Sequence, residues 1–373
     1  MTFTADDHRY MARALQLARH GLYTTHPNPR VGCVIVRHGH IVGEGWHMKA
    51  GEPHAEIHAL RMAGEAARGA DVYVTLEPCS HFGRTPPCAN ALIQAGVARV
   101  VAAMVDPNPL VAGNGLALLK QAEIDTAAGL LESDARALNP GFITRMALNR
   151  PYVRLKMAMS LDGRTAMESG ESVWITGDAA RRDVQFLRAQ VGAILTGIGT
   201  VLADDPSLNV RLTAQELGIE GEVRQPVRVV LDSALRFPLT AQMLRLPGQI
   251  LIYTCNNDTA KIAQLAQRRV KVRCFNGDKL DLAQVMAALV EDGITEVHVE
   301  AGATLTGALV AQGFADEMVI YLAPHLMGSR ARALFDLPHL AHMHERIKLE
   351  IRDIRAVGSD WRIIINPKPE VKN

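Results

Sequence analysis

The sequence lacks several features that would place it outside the ordinary globular class. The chain has 373 residues but only five cysteines. This number is small for the length and is odd, so a disulfide framework is not expected. No run reaches the roughly 18 consecutive apolar residues that a membrane span needs. Lys and Arg number 40 against 39 Asp and Glu, so a net charge of +1 gives no electrostatic reason to bind nucleic acid or an anionic membrane.

The N-terminal segment also lacks the basic start and apolar core of a signal peptide. It carries acidic residues first and then apolar residues at helical spacing, which predicts a capped amphipathic helix over residues 5–20. We therefore expect a cytoplasmic protein. The hydrophobic fraction of 48% and the charged fraction of 21% exclude a disordered chain.

Strand-like and helical segments alternate along the chain, which predicts an α/β fold. A hairpin is expected around His38-Gly39, a single helix over residues 133–148, and a final antiparallel pair over 347–357 and 361–365. Pro151 disfavours helical geometry in the residue before it, so the helix must end there. At roughly 150 residues per domain, we expect two domains, 1–149 and 150–373.

One constellation in the first half predicts a catalytic zinc site. His54 begins an H-x-E sequence that ends at Glu56, and Cys79 and Cys88 follow. Imidazole and thiolate suit zinc, and three protein ligands leave the fourth tetrahedral position open for a water whose pKa is then lowered. Glu56 would carry a proton from that water to a leaving amine. Cys88 opens a helical segment, and a helix N-terminus should favour its thiolate.

Alternative interpretations of these residues remain open from spacing alone. The order is that of the nucleobase deaminases, H-x-E followed by P-C-x-x-C, but here eight residues separate the cysteines instead of two. An isolated H-x-E is usually solvated surface, and His58 and His81 are neighbouring histidines that could compete as ligands. The three remaining cysteines lie in strand-like runs and are expected only to pack: Cys33, Cys255 and Cys274.

Longer motifs in both halves resemble the bifunctional deaminase/reductase family of riboflavin biosynthesis. They are HPNPRVG at 26–32, GEPHAE at 51–56, the stretch 76–88, KMAMSLDGR at 156–164, and 196–211 around DDP. The resemblance spans nearly the whole chain, and the wide cysteine spacing is usual in this family. It implies an N-terminal cytidine-deaminase-like three-layer α/β/α domain and a C-terminal dihydrofolate-reductase-like α/β domain.

The resemblance also implies the chemistry. Zinc-dependent hydrolysis would remove the 2-amino group of a phosphorylated pyrimidine, and NADPH would then reduce its ribosyl group to ribityl. His54, Cys79 and Cys88 would bind one zinc ion per chain, with Glu56 as proton donor. We expect small-molecule substrates, a homo-oligomer, and no nucleic acid or membrane partner.

The second half has no G-x-G-x-x-G fingerprint, so its cofactor site rests on weaker signals. A strand over 297–300 runs into a glycine-bearing turn at Gly302, which can bind phosphate or can simply be a tight turn. Guanidinium groups suit the substrate phosphate, which makes Arg188 and Arg211 candidates. The resemblance implies these NADPH-binding residues: Ala158, Trp174, Thr200, Asp204, Ser233, Gly302, Ala303 and Thr304. It implies these substrate-binding residues: Asn28, Ser172, Arg188, Leu208, Arg211 and Glu300.

Competing interpretations remain for single residues and for the whole chain. Asp204 also suits a helix end, and Asn28 suits a turn. A tRNA or single-stranded DNA deaminase shares the zinc pattern, but it would show basic stripes with aromatic residues, and aromatics make up only 5% here. A structural zinc module fused to a ligand-binding domain would close the metal site with a fourth ligand.

Overall fold

The computed structural model describes residues 2–80, 87–109 and 111–368. The chain divides into two compact units, which we call the first unit (1–149 with 218–221) and the second unit (150–217 with 222–373). Within the described ranges, no helix has both the length and the apolar character needed to cross a membrane.

The first unit is a five-stranded sheet with helices packed on it. The strands are β1 Gly32–Arg37, β2 His40–Trp46, β3 Asp71–Val74, β4 Arg99–Ala102 and β5 Asp125–Ala128. The helices are α1 Ala5–Arg19, α2 Ala55–Ala63, α3 Cys88–Ala95, α4 Asn114–Gln121, α5 Glu132–Leu138 and α6 Pro140–Leu148. The strand order is β2-β1-β3-β4-β5, antiparallel as far as β3 and parallel beyond it.

Helix α1 forms as its sequence predicts. The Thr4 hydroxyl accepts from the Asp7 backbone N–H at 3.1 Å, and the Asp7 carboxylate accepts from the Thr4 N–H at 2.8 Å, which satisfies donors that a helix start leaves free. Its apolar face is buried against β1. A Cβ on Gly32 would lie 2.0 Å from the Ala14 carbonyl oxygen, so only glycine permits this close approach.

The predicted hairpin is confirmed. Strands β1 and β2 pair antiparallel on either side of His38 and Gly39. These two residues have φ values of 52° and 78°, as a two-residue turn that matches the strand twist requires. Gly39 meets that demand without strain, because it has no Cβ.

The prediction of a single helix over residues 133–148 is wrong, because the segment forms two helices, α5 and α6, that meet at Asn139-Pro140. Proline disfavours helical geometry in the residue before it, and Asn139 has φ −126°. The Asn139 side chain accepts from the Arg30 N–H at 2.7 Å and donates to the Arg30 carbonyl at 3.0 Å. The break therefore ties the C-terminal helices of this unit to the segment before β1.

The second unit is built on a nine-stranded sheet of order β11-β10-β9-β8-β12-β6-β13-β16-β15. Its strands are β6 Tyr152–Ser160, β8 Ala193–Gly197, β9 Val227–Leu231, β10 Ile250–Thr254, β11 Val270–Cys274, β12 Glu296–Val299, β13 Glu317–Ala323, β15 Leu349–Val357 and β16 Asp360–Pro367. A separate small ladder pairs β7 Arg164–Ala166 with β14 Arg332–Ala333. The sheet is parallel from β11 to β13, and the predicted final antiparallel pair is confirmed as β15 and β16.

Helices connect the parallel strands of this sheet. They are α7 Asp178–Gln190, α8 Ile198–Asp204, α9 Ala214–Leu217, α10 Thr259–Gln267, α11 Leu282–Glu291 and α12 Ala303–Ala311. The sequence analysis did not predict helices α8, α9 and α10 or strand β11. Alternating apolar positions of β6 and β12 face one buried cluster, which includes Val153, Leu155, Val297 and Val299.

The expectation that three cysteines only pack is correct for one of them and wrong for another. Cys33 is fully buried in β1. Cys255 is half-buried just after β10, and Cys274 is exposed at the end of β11. Cys274 escapes burial because β11 is the edge strand of the sheet, so its neighbours cover it on one side only.

Candidate functional sites

Three side chains from three connections meet above the sheet of the first unit. His54 caps the start of α2, Cys79 lies beyond β3, and Cys88 is the first residue of α3. The His54 Nδ1 atom is 3.2 Å from Cys88 Sγ and 3.6 Å from Cys79 Sγ. In the described part of the chain, these residues form the one group of three or more His, Cys, Asp or Glu side chains that could hold a metal ion, with all ligand atoms within 4.8 Å of one another.

The spacing and chemistry of this group fit zinc. Bond lengths of about 2.0–2.1 Å to nitrogen and 2.3 Å to sulfur put tetrahedral N and S ligands roughly 3.6 Å apart. The observed N to S separation is equal to that value for Cys79 and about 0.4 Å shorter for Cys88. Of the two competing histidines, His58 is not part of the group, and His81 lies outside the described residues.

The two sulfurs differ in their affinity for a proton. A hydrogen bond from the Cys88 thiol, with others from His54 and from the Cys88 backbone N–H at 3.3 Å, lowers the pKa of Cys79. The shared hydrogen bond, burial and the nearby Glu56 raise the pKa of Cys88. That the helix N-terminus favours the Cys88 thiolate stays a prediction. The first N–H of α3, that of Cys88 itself, donates to Cys79, so one of the free N–H groups of the helix stabilises the other sulfur.

Glu56 lies beside the cluster, in the first turn of α2, and is buried. Burial raises the pKa of its carboxyl to about 7; the charge of Cys79 adds to this rise, and His54 opposes it. Its side chain is hydrogen-bonded to Cys88. A carboxyl group that titrates near neutral pH is suited to accept and return a proton.

His47 is a residue of this site that the sequence analysis missed. It is buried at the end of β2, and its ring centroid is 5.5 Å from that of His54. Its Nδ1 is 3.2 Å from the Pro53 carbonyl oxygen, and its Nε2 is 3.1 Å from Nδ2 of Asn28. Asn28 also donates its backbone N–H to Thr25, so the turn interpretation of Asn28 holds as well. The sequence signal that could have identified His47 is its position directly after a predicted strand.

In the second unit, many of the predicted site residues lie along one edge of the sheet. Strands β9, β8, β12 and β6 are parallel neighbours, so their carboxyl ends face the same way. At or just beyond those ends are Ala158, Thr200, Ser233, Glu300, Gly302, Ala303 and Thr304. Ligands of open α/β sheets bind at this edge. Gly302 caps α12, so the backbone N–H groups of that helix face the same region.

Two predicted substrate residues are paired with each other. The Arg188 guanidinium donates to both carboxylate oxygens of Glu300, at 2.6 and 2.9 Å, and to the Asn209 carbonyl at 2.9 Å. Burial acts to raise the pKa of Glu300, but Arg188 and Lys156 outweigh it and hold that pKa well below its usual range. The second predicted arginine, Arg211, is more exposed and contacts Ser207 at 3.2 Å.

Lys156 and His298 are further groups at this pair that the sequence analysis missed. His298 is fully buried, with Nε2 3.6 Å from the Glu300 carboxylate, and burial lowers its pKa to about 3. Burial also lowers the pKa of Lys156. Both residues alternate with apolar neighbours on β12 and β6, and a polar residue at a buried strand position was the available signal.

The remaining predicted residues differ in their exposure. Trp174 is 70% exposed and stacks under the Arg181 guanidinium, 4.5 Å from its ring centre. Ser172 is half-buried and Leu208 is buried. Asp204 is exposed and is the last residue of α8, so it occupies the helix end that the alternative interpretation expects.

Comparison with known proteins agrees with both halves of this description. Residues 4–104 match the family model for the cytidine and deoxycytidylate deaminase zinc-binding region, and residues 151–363 match the RibD C-terminal domain. The chain is similar to riboflavin biosynthesis protein RibD of Escherichia coli K12, with 53% identity over 95% of this chain and 97% of that protein. It is also similar to RibD of Haemophilus influenzae, with 46% identity over 99% of each chain.

Solved structures agree over the same length. RibD from Acinetobacter baumannii has a TM-score of 0.90 and 47% identity, and covers 97% of this chain and 99% of its own. A Thermotoga maritima enzyme described as a diaminohydroxyphosphoribosylaminopyrimidine deaminase and 5-amino-6-(5-phosphoribosylamino)uracil reductase has a TM-score of 0.85, 32% identity and the same coverage. The family and the fold class that the motifs imply are thereby confirmed. The chain belongs to the RibD family of bifunctional riboflavin biosynthesis enzymes, in which a zinc-dependent deaminase precedes an NADPH-dependent reductase.

Proposed function

We propose that this chain carries out two successive reactions on one phosphorylated pyrimidine. The first is hydrolytic deamination of 2,5-diamino-6-(5-phosphoribosylamino)pyrimidin-4-one. The second is reduction, by NADPH, of the ribosyl group of 5-amino-6-(5-phosphoribosylamino)uracil to ribityl. The observation that carries the proposal is the group of His54, Cys79 and Cys88 with the buried carboxyl of Glu56 beside it. The two activities ascribed to the Thermotoga maritima enzyme support it.

In the first unit, His54 Nδ1 and the two cysteine sulfurs would hold zinc. When bound, zinc supplies Lewis acidity that makes a water molecule nucleophilic at neutral pH. Glu56 would take the proton of the attacking water on its carboxylate and return it to the departing amine. Its position supports both transfers, because the carboxyl is buried in the first turn of α2 and is hydrogen-bonded to Cys88.

Asn28 would bind the pyrimidine, and His47 would orient it. A carbonyl oxygen only accepts hydrogen bonds, so the contact with Pro53 assigns the ring hydrogen of His47 to Nδ1. Nε2 then accepts from the Asn28 amide N–H. The Asn28 Oδ1 atom is left to accept a hydrogen bond from an N–H group of the substrate.

In the second unit, the nicotinamide and the opened sugar must lie in contact for hydride transfer. The start of α12 would bind an NADPH phosphate through the backbone N–H groups of Ala303 and Thr304. Arg211, which is more exposed than Arg188, would bind the substrate phosphate. Arg188 would hold the Glu300 carboxylate toward the substrate. The remaining proposed contacts are Ala158, Trp174, Thr200, Asp204, Ser233 and Gly302 for NADPH, and Ser172 and Leu208 for substrate.

We also propose that the enzyme acts in the cytoplasm as a homo-oligomer, with no nucleic acid partner, and that its two activities divide near residue 150. The balanced net charge supports the absence of a polynucleotide partner. Exposed apolar side chains on the last two strands, β15 and β16, support self-association: Ile351, Ile354 and Trp361 are 58%, 50% and 48% exposed. Sedimentation velocity would measure the oligomeric state.

Incubation with the diaminopyrimidine ribosyl phosphate, followed by product mass, tests the two reactions. Without NADPH, the product should have one amino group replaced by oxygen. With NADPH, it should gain two hydrogens as well. Unchanged substrate in the presence of zinc-loaded protein would refute the proposal.

A further inference from the structure

The carboxylate of Glu77 is buried, two residues before Cys79, and accepts four backbone hydrogen bonds. One oxygen accepts from the N–H groups of Asp106 and Gly113, both at 3.0 Å. The other accepts from Gly115 at 2.8 Å and from Leu116 at 3.2 Å. We call these donors the four amides. They lie in the connection after β4 and in the first turn of α4, so one side chain joins that connection to the chain that carries Cys79.

The packing around Pro78 restrains the same chain from the other direction. A Cβ on Gly115 would lie 1.9 Å from the Pro78 carbonyl oxygen, so α4 approaches Pro78 as closely as a glycine allows. The Glu77 backbone N–H donates to Met104 at 3.0 Å, and the Cys79 carbonyl accepts from Ala89 of α3 at 3.2 Å. Only one residue, a proline with fixed φ, separates Glu77 from Cys79. The Cys79 sulfur therefore has little freedom to move independently of Glu77.

We propose that Glu77 is a positioning residue of the deaminase site: its carboxylate holds Cys79 in place for zinc and holds the four amides beside the site. This inference rests on the proposed zinc site. A buried carboxylate is costly unless its hydrogen bonds are satisfied, so the four bonds form and break together. Zinc binding to Cys79 and formation of the four hydrogen bonds to Glu77 are then coupled. Because such coupling is reciprocal, each of the two stabilises the other.

The coupling can be measured in the unmodified full-length protein by hydrogen exchange. Zinc is removed with a chelator and then restored, and exchange is followed at Asp106, Gly113, Gly115 and Leu116. We expect these amides to exchange at least tenfold faster without zinc. Amides of β12 in the second unit are the internal control and should not change. Equal exchange of the four amides with and without zinc would overturn the inference.

The variant Glu77→Gln tests the carboxylate itself. The amide NH₂ of glutamine would face two of the four N–H donors, so two hydrogen bonds are lost with little change in shape. We expect zinc transfer to a chelator to become about 10- to 100-fold faster, as for other groups that support a metal ligand. Deaminase kcat should fall while the KM for substrate is unchanged, because Glu77 is placed toward Cys79 and not toward the substrate.

Two controls separate positioning from general damage. Reductase activity of the same Glu77→Gln protein should equal that of the wild type, since that site lies in the second unit. Glu132→Gln removes an exposed carboxylate of α5, which pairs with Arg136 four residues on, and should leave zinc release unchanged. Zinc release from Glu77→Gln at the wild-type rate would overturn the role of Glu77. Failure of the wild type to bind zinc, or retention of zinc by Cys79→Ser, would instead refute the proposed metal site.

Discussion

Glu56 and Glu300 are both largely buried glutamates at candidate sites, yet the protein shifts their pKa values in opposite directions. Burial raises the pKa of Glu56 to about 7, and His54 offsets it only in part. The same burial acts on Glu300, but the bidentate contact with Arg188, together with the charge of Lys156, more than reverses it. Burial alone therefore does not determine how a carboxyl group behaves. The partner decides, and the two glutamates are suited to different tasks: proton transfer for Glu56, and a fixed negative charge for Glu300.

The two sites also differ in how they are assembled. Every proposed metal ligand comes from one stretch of 35 residues, 54–88, and each lies at the start of a helix or just after a strand. Many residues of the second site come from the ends of four strands, and Arg188 and Glu300 are 112 positions apart in the chain. We therefore expect the two sites to respond independently to substitution.

Loss of a metal ligand should have the largest effect and should be confined to one site. Cys79→Ser removes a thiolate that zinc prefers, so we expect loss of zinc and of deamination, with full reductase activity. Metal content and both activities would be measured on one preparation. A parallel fall in reductase activity would show that the two sites depend on each other.

Glu56→Gln should keep zinc and lower deamination by about 10²- to 10⁴-fold, the usual contribution of a general acid–base group. The glutamine side chain fills the same space but cannot carry the proton. Metal content and single-turnover rates separate this outcome from loss of zinc. Turnover close to that of the wild type would remove Glu56 from proton transfer.

Arg188→Ala should leave Glu300 as a buried, unpaired charge and lower the free energy of unfolding of the second unit by about 3–5 kcal/mol. Arg182→Ala is the matched control: its pair with Glu216 is 2.9 Å long but 57% exposed on the arginine side, and an exposed pair contributes less than about 1 kcal/mol. Urea unfolding would measure both. Equal losses would mean that burial does not distinguish the two pairs.

The depressed pKa of Glu300 predicts the direction of a pH effect. Its pKa when unfolded is about 4.3, and its folded pKa is lower, so the stability it contributes is present above about pH 4.3 and is lost as the pH falls toward the folded value. Arg188→Ala removes the main cause of the depression. The decline in stability below pH 4.3 should therefore be shallower in that variant, as measured by urea midpoints at several pH values; an unchanged slope would contradict the assignment.

Asp204→Ala should have the smallest effect. Asp204 is exposed at the end of α8, so stability should change by less than about 0.5 kcal/mol. If Asp204 also contacts NADPH, the KM for NADPH should rise about three- to tenfold, the cost of one hydrogen bond. An unchanged KM would leave only its helix-ending role.

Local patterns predicted the parts of the fold that local chemistry controls. The start of α1, the turn at His38-Gly39 and the start of α3 at Cys88 each follow from residues that lie within a few positions of one another. The prediction failed where a distant contact or an overlooked residue decided the structure. Residues 133–148 have helical periodicity throughout, but Pro140 interrupts them and Asn139 is fastened to Arg30, more than a hundred positions away.

By itself, the sequence determined which donor atoms this protein can offer: one imidazole, two thiols and one carboxyl, in a spacing that resembles one enzyme family. Only the tertiary structure decided what each atom does. In the folded chain, the first N–H of α3 donates to Cys79, and the Asn28 amide contacts the His47 ring. Glu77 accepts from four backbone N–H groups, and Glu300 accepts from Arg188. The physical reason is that a pKa and a hydrogen-bond network depend on distances and burial through space, which spacing along a chain does not specify.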